Sequence, residues 1–260
     1  MTTIARPPAR PNVLRDSAAV FTRELRPVLR DPFSLIFSLV QPLVFLGLFG
    51  PLLVATSGQP VGATLQSFVP GILVMIALFG TGTTGSNLLY EMQTGSHERT
   101  LVAPIARSSL LIGRALKEMA PIVVQATLIA VVTLPFGFTI HVPGMLLGLV
   151  LLAIFGVGLG ALSYTLALAS RKADWLFWAV HQTVLFPLLI LSGMLLPLDA
   201  APEWMRVVAT FNPIAYIVEA ERALFAGELA SPEVLGGFLA ALALAGLGLF
   251  VGIRKMRRSA

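Results

Sequence analysis

The stretch from Phe186 to Gly227, F-P-L-L-I-L-S-G-M-L-L-P-L-D-A-A-P-E-W-M-R-V-V-A-T-F-N-P-I-A-Y-I-V-E-A-E-R-A-L-F-A-G, limits the fold more than any other part of the sequence. It starts as the second half of an apolar run, breaks at Ser192-Gly193, passes Pro197, Pro202 and Pro213, and ends in a segment holding Glu219, Glu221 and Arg222. Prolines at those intervals interrupt it too often for a bilayer crossing, and it is too apolar for a free loop in water. Irregular backbone at membrane depth needs protein or a wet cavity around it, so the segment reads as a helical hairpin dipping into one membrane face.

The remaining residues put that hairpin in context. The 260 residues are 56% hydrophobic and 12% charged, against about 25% charged in a soluble domain, which makes this an integral membrane protein. With no cysteine there is no disulfide framework, thiolate nucleophile or cysteine metal cluster. The net charge of +5 is compatible with an anionic surface, and where the charges fall points to a lipid bilayer and not to nucleic acid.

In chain order, residues 1–11 form a Pro/Arg-rich tail that is expected to be disordered. Over residues 12–31, Leu14, Ala18, Phe21, Leu25 and Leu29 recur at helical spacing, while Arg15, Arg23, Arg26 and Arg30 fall mostly on other faces. That pattern predicts an amphipathic helix lying in the membrane interface; a surface helix of a soluble domain would look similar, but no such domain follows to hold it. Asp31-Pro32 ends this helix and starts the next. Residues 32–260 form a six-span transmembrane domain, with spans at about 33–54, 68–90, 119–138, 143–170, from 175, and 234–253. The first is too long for a signal-peptide core of about 7–15 residues and is read as a permanent anchor, with Pro42 a kink. Gly156 with Gly160, and Gly248 with Gly252, have the small-xxx-small spacing of close helix contact. The expected fold class is therefore all-α: six transmembrane helices, an N-terminal interfacial helix, and a re-entrant extracellular hairpin, 197–227, between the fifth and sixth spans.

Positive charge sets the orientation. Of 18 Lys and Arg, all but Arg206 and Arg222 fall in the N-terminal segment, the polar stretch Glu91–Lys117, the turn at Arg171 and Lys172, or the C-terminal tail. The positive-inside rule places those segments and both termini in the cytoplasm, in a multi-pass protein of the plasma (inner) membrane, with the hairpin outside.

Several chemistries lack their residues. An ion-driven carrier needs ionisable groups near the midplane, but Glu118 lies beside Lys117 at a span edge, where a snorkelling pair accounts for it. His181 in the fifth span serves either as a helix-to-helix hydrogen-bonding residue or as a proton relay. The histidines at 97, 141 and 181 are scattered, with no H-E-x-x-H, no G-x-S-x-G and no G-x-x-x-x-G-K-[ST]. The chain therefore reads as no enzyme, and as holding no metal.

The hairpin L-S-G…P…P-E-W…F-N-P-I…E-A-E-R-A-L-F-A-G, the loop E-M-Q-T-G-S-H-E-R-T-L-V-A-P-I-A-R-S-S-L-L-I-G-R-A-L, and R-D-P after the amphipathic helix together resemble the type-two ABC exporter permeases, the group that includes the daunorubicin-type drug exporters. The resemblance implies a six-span permease that pairs with a second copy or a paralogue. A separate cytoplasmic ABC ATPase would drive it and bind ATP and Mg, with no cofactor on this chain. It further implies a coupling segment, 91–107, in which Glu91, Gly95, Glu98, Leu101, Pro104 and Arg107 engage the ATPase, although a plain solvated loop is the alternative. An extracellular gate would be built from Ser192, Gly193, Pro197, Pro202, Trp204, Asn212, Pro213, Glu219 and Arg222, with Glu219 and Arg222 pairing three residues apart to offset their shared burial.

Spans rich in Leu, Ala, Gly and Phe suit a hydrophobic or amphiphilic drug or lipid-like cargo, and Gln41, Thr83, Asn87, His181 and Gln182 are pathway polar groups by this reading. The same resemblance also admits export of a lipid-linked polysaccharide, the alternative cargo, whose conduit is expected to carry more aromatic stacking surface than the 8% aromatic content here suggests. An ion-coupled carrier and a non-transporting scaffold are the readings from other classes.

Overall fold

The computed structural model describes residues 12–101, 107–195, 198 and 201–258. The tail 1–11, Pro104 and Pro197 lie outside them, and for Glu98, Leu101 and Arg107 only the backbone is described. Every regular element among the described residues is helical. In order these are α1 (Val13–Arg30), α2 (Pro32–Ser57), α3 (Val61–Gly80), α4 (Gly82–Gln93), α5 (Ser96–Leu101), α6 (Arg107–Lys117), α7 (Met119–Thr133), α8 (Val142–Ala169), α9 (Asp174–Ile190), α10 (Glu203–Ala209), α11 (Pro213–Ala226) and α12 (Pro232–Arg258).

Local sequence explains the helix ends. Asn12 caps α1, its side chain accepting from Leu14 N at 3.1 Å and Arg15 N at 3.3 Å. Asp16 in the first turn and Arg30 in the last complement the helix dipole. Asn212 caps α11 by accepting from Ile214 N at 3.0 Å, Pro213 occupies the first turn, and Gly227 ends the helix at φ +89°, a conformation that favours glycine.

Among the described residues, five stretches are long and apolar enough to cross a membrane: Ile36–Ser57, Val61–Gln93, Ser108–Phe136, Val142–Ala169 and Pro232–Met256. The second joins α3 and α4 through Thr81, and the third joins α6 and α7. The predicted fifth span is a shorter apolar helix, Asp174–Ile190. The core is centred on α3, where residues 68–78 are all buried, packed with Phe155 and Leu151 of α8, Ile129 of α7 and Ile217 of α11. At the other extreme α2 runs through Pro42 and Pro51 with Phe33, Phe37, Leu48 and Leu52 exposed.

One expectation needs correction. The stretch Glu91–Lys117 is not polar loop throughout: α6 buries Ser109, Leu110, Leu111, Arg114 and Ala115, because α1, α8 and α12 cover its apolar side. The glycines expected at close helix contacts do sit at them, each pair against its own neighbours. A Cβ on Gly156 would meet Ile122, and one on Gly160 would lie 3.2 Å from Glu118 Cγ, so both serve α7. Gly158 is the residue that faces α12, with a Cβ there only 2.8 Å from Ala245 N; across this seam stands Gly248, facing the Gly158 carbonyl.

Gly158 abuts backbone, which cannot yield, whereas Gly246 has open space around it. Thermal unfolding of purified protein should therefore show opposite signs for the same substitution: Gly158→Ala loses about 1–3 kcal/mol by overpacking, and Gly246→Ala gains about 0.5–1 kcal/mol of helix propensity.

Candidate functional site

Among the described side chains of the predicted coupling residues, Glu91 is tied into the bundle. It ends the third turn of α4, and its Oε2 accepts from Arg114 Nη2 at 2.5 Å. Arg114 Nε lies 3.5 Å from Glu24 Oε1 on α1, and its guanidinium stands over the Tyr164 ring of α8, 5.6 Å from the centroid. One arginine, itself 5% exposed, thus joins α1, α4, α6 and α8. A buried cation needs such partners, since an unpaired charge away from water is costly. The surrounding contacts hold it there. Gly113 lets α1 lie close on α6, a Cβ at that position falling 2.6 Å from Val20 Cβ, and Ser109 Oγ donates to Val13 O at 3.2 Å. Gln93, one helical half-turn beyond Glu91, donates to Asp174 at the start of α9.

Past this junction Gly95 turns the chain at φ +68°, and Ser96–Leu101 forms the short helix α5, which places the backbone of Glu98 and Leu101. Arg107 begins α6. Glu24 and Tyr164 are absent from the sequence-predicted set, and nothing local in the sequence names either as a partner of Arg114.

At the opposite end, several predicted gate residues converge. Ser192 Oγ donates to Leu189 O at 2.7 Å and accepts from Met194 N at 3.3 Å, shaping the turn in which Gly193 takes φ +72°. Arg222 donates to Gly193 O at 2.7 Å, to Ser67 O at 3.0 Å and to Glu219 Oε1 at 2.6 Å, so it links α11, α3 and the break after α9. Asn212 Nδ2 donates to Leu188 O at 3.1 Å. Gln66, not foreseen, adds a strap by donating to Phe225 O at 2.8 Å and to Thr139 O at 3.1 Å. Pro202 precedes α10, and Trp204 is exposed. The expectation that Glu219 and Arg222 share a buried pair is corrected: the Glu219 side chain is 54% exposed, and the fully buried acid of α11 is Glu221.

The five pathway candidates separate. Gln41, Thr83 and Asn87 line one cavity of about 380 Å³ together with Lys117, Glu118 and Gln125. Its polar side includes the Lys117–Glu118 pair at 2.9 Å and the Gln125 to Ser38 bond at 2.6 Å; its apolar side includes Met75, Ile76 and Phe79. Glu118 is 2% exposed, so it does not snorkel to water as expected. His181 lines a separate cleft of about 250 Å³ beside Thr81 and Ser163, stacked on Phe177 at 5.6 Å. Gln182 is exposed and lines neither. Among the described residues no three acids or histidines cluster as a metal site would require.

The sequence profile of the ABC-2 type transporter family matches residues 16–226. Among curated proteins, the chain is 31% identical over 203 residues to ycf38 of Cyanophora paradoxa, which carries the name of a transport permease; the match covers 75% of this chain and 69% of that one. It is 25% identical over 224 residues to the daunorubicin resistance ABC transporter permease protein DrrB1 of Streptomyces coeruleorubidus, covering 85% and 78%.

Replacing Arg114 by Ala strands Glu24 and Glu91 without their cation. Because both glutamates keep some solvent contact, the expected loss is about 2 kcal/mol, below the about 3–5 kcal/mol of a wholly buried pair, and Arg114→Lys, which keeps the charge but not the planar fork, loses less. Thermal unfolding of the purified chain measures both.

Proposed function

We propose that this chain, which belongs to the ABC-2 type transporter family, is the membrane-spanning permease subunit of an ATP-driven exporter that moves a hydrophobic or amphiphilic, drug- or lipid-like cargo out of the cytoplasm or inner leaflet. In this reading α9 and the turn after it make a sixth crossing, α1 lies in the cytoplasmic interface, and α10 with α11 forms a re-entrant outer hairpin. The exposed apolar Leu14 and Leu29 on an arginine-bearing α1 support its interfacial place.

The observation that carries the proposal is the Arg114 junction. A separate cytoplasmic ATPase, binding ATP and Mg, would push on the segment around α5. Glu91, just before that segment, is bonded to an arginine that also holds α1 and stands on α8. Motion there is passed to the bundle as rigid-body displacement and not dissipated in a loose loop. The cargo would occupy the cavity beside Gln41, Thr83 and Asn87, whose mixed lining matches an amphiphile. A second copy or a paralogue would complete the transporter across the exposed apolar faces of α2 and α9. At the outer end, the Arg222 links to Gly193 and Ser67 would hold the gate closed.

Proteoliposomes holding the chain and its companion ATPase should expel a fluorescent amphiphile while ATP lasts, irrespective of the proton gradient; transport that collapses with the gradient and ignores ATP would refute the proposal. Glu91→Ala should reduce transport several-fold while ATP binding to the partner is unchanged. The absence of native cysteine gives a clean topology test: Thr94→Cys and Trp204→Cys should label from opposite sides of the bilayer, and labelling from one side would remove the force path.

A further inference from the structure

The outer joint holds one group that neither the coupling junction nor the gate uses. Glu221 is 0% exposed, and neither carboxyl oxygen has a hydrogen-bond partner. It points at α8 where that helix has no side chain: a Cβ on Gly148 would fall 2.5 Å from Glu221 Oε2. One turn away Gly144 faces the Leu224 carbonyl, so α11 lies on a glycine track of α8 with the acid at its centre.

The charged and titratable groups of the surrounding helices are engaged elsewhere or face away. On α11, Arg222 is committed to Gly193, Ser67 and Glu219. On α8, His141 Nδ1 accepts from Gly144 N at the helix start. From α3, Gln66 and Ser67 serve Phe225, Thr139 and Arg222. From α12, the seam receives Gly237 against Ala220, and Glu233 stands exposed at the first turn. Among the described residues, no cation of these helices comes within ion-pairing distance of Glu221.

We propose that Glu221 is a proton-binding site that governs the α8–α11 seam: with its proton bound the two helices close on the glycine track, and release of the proton parts them. A carboxylate stranded without partner or water costs far more than the neutral acid, and with the seam shut the Glu221 side chain has no exposed surface. The proton is therefore the one ligand that the site can take in the closed state. Because Arg222 of α11 and its cap Asn212 tie the hairpin to α3, to α9 and to the turn after it, parting the seam loosens that whole outer unit.

The direction with pH follows. Burial pushes the Glu221 carboxyl from 4.5 up to about 8, and in an opened, hydrated seam it returns toward its ordinary value. Opening thus releases a proton between those limits. The opening constant should rise with pH, by up to about tenfold per unit, from roughly 4.5 until it levels near 8, where the closed seam also ionises.

Hydrogen exchange of the α8 and α11 amides in the full chain, held in lipid nanodiscs between pH 5 and 9 and corrected for intrinsic exchange, reads this constant. Wild type should show that rise; Glu221→Gln should remove it, and Glu221→Met should remove it and protect the seam at every pH. An equal slope in wild type and Glu221→Gln overturns the proposal. Should the glutamine variant fail to fold, infrared spectra of wild type decide. A protonated carboxylic acid band at pH 7 that vanishes by pH 9 supports the site, and no such band at pH 7 refutes it.

Discussion

The architecture depends on how closely other backbones can approach α8. That helix offers glycine on three sides: Gly156 and Gly160 toward α7, Gly158 toward α12, and Gly144 and Gly148 toward α11. In a bilayer, lipid tails are as apolar as leucine, so helices gain little from mere burial and associate by tight packing and polar links. The bare faces of α8 supply that packing on several sides at once. The larger side chains of α8, among them Phe155 and Tyr164, fill the space between these contacts.

Polar links then fix what packing alone would leave free to slide. At one end Arg114 gathers α1, α4, α6 and the Tyr164 face of α8; at the other Arg222 gathers α11, α3 and the turn after α9. Each guanidinium has several donors in a fixed plane and can serve more than two elements, which an ammonium would do less well. The apolar middle of the molecule therefore lies between two polar clasps, with the mixed cavity by Gln41 and Thr83 set against α2 and not within the tightest packing.

Much of this was legible in the sequence, for physical reasons. Helix caps announce themselves locally, as Asn12 and Asn212-Pro213 do, and long apolar runs mark their own extent. The spacing of Gly248 and Gly252 pointed to a close helix contact but not to its partner, Gly158, because two glycines four apart define a stripe without saying which neighbour will use it. Arg114 entered only as one cation of the polar stretch Glu91–Lys117, since its burial comes from the tertiary arrangement of α1 and α8. The buried member of E-A-E-R is Glu221 and not Glu219, a choice set by helical phase against Gly148. An apolar stripe shared by three neighbouring helices has too broad a face for one-dimensional reading to settle that phase. The roles given to Gly95, Pro104 and the hairpin prolines came from resemblance, and they rest on a partner and a motion beyond a single chain.

The sparse embrace of α2 has a consequence for how the chain is made. This 26-residue helix keeps much of its apolar surface turned away from its neighbours, so lipid can solvate it before anything else has been synthesised. By contrast α3, walled in along residues 68–78, reaches its native surroundings only after α7, α8 and α11 have left the ribosome. Biogenesis would accordingly begin with an autonomous anchor and end with late consolidation around a helix inserted early but completed last.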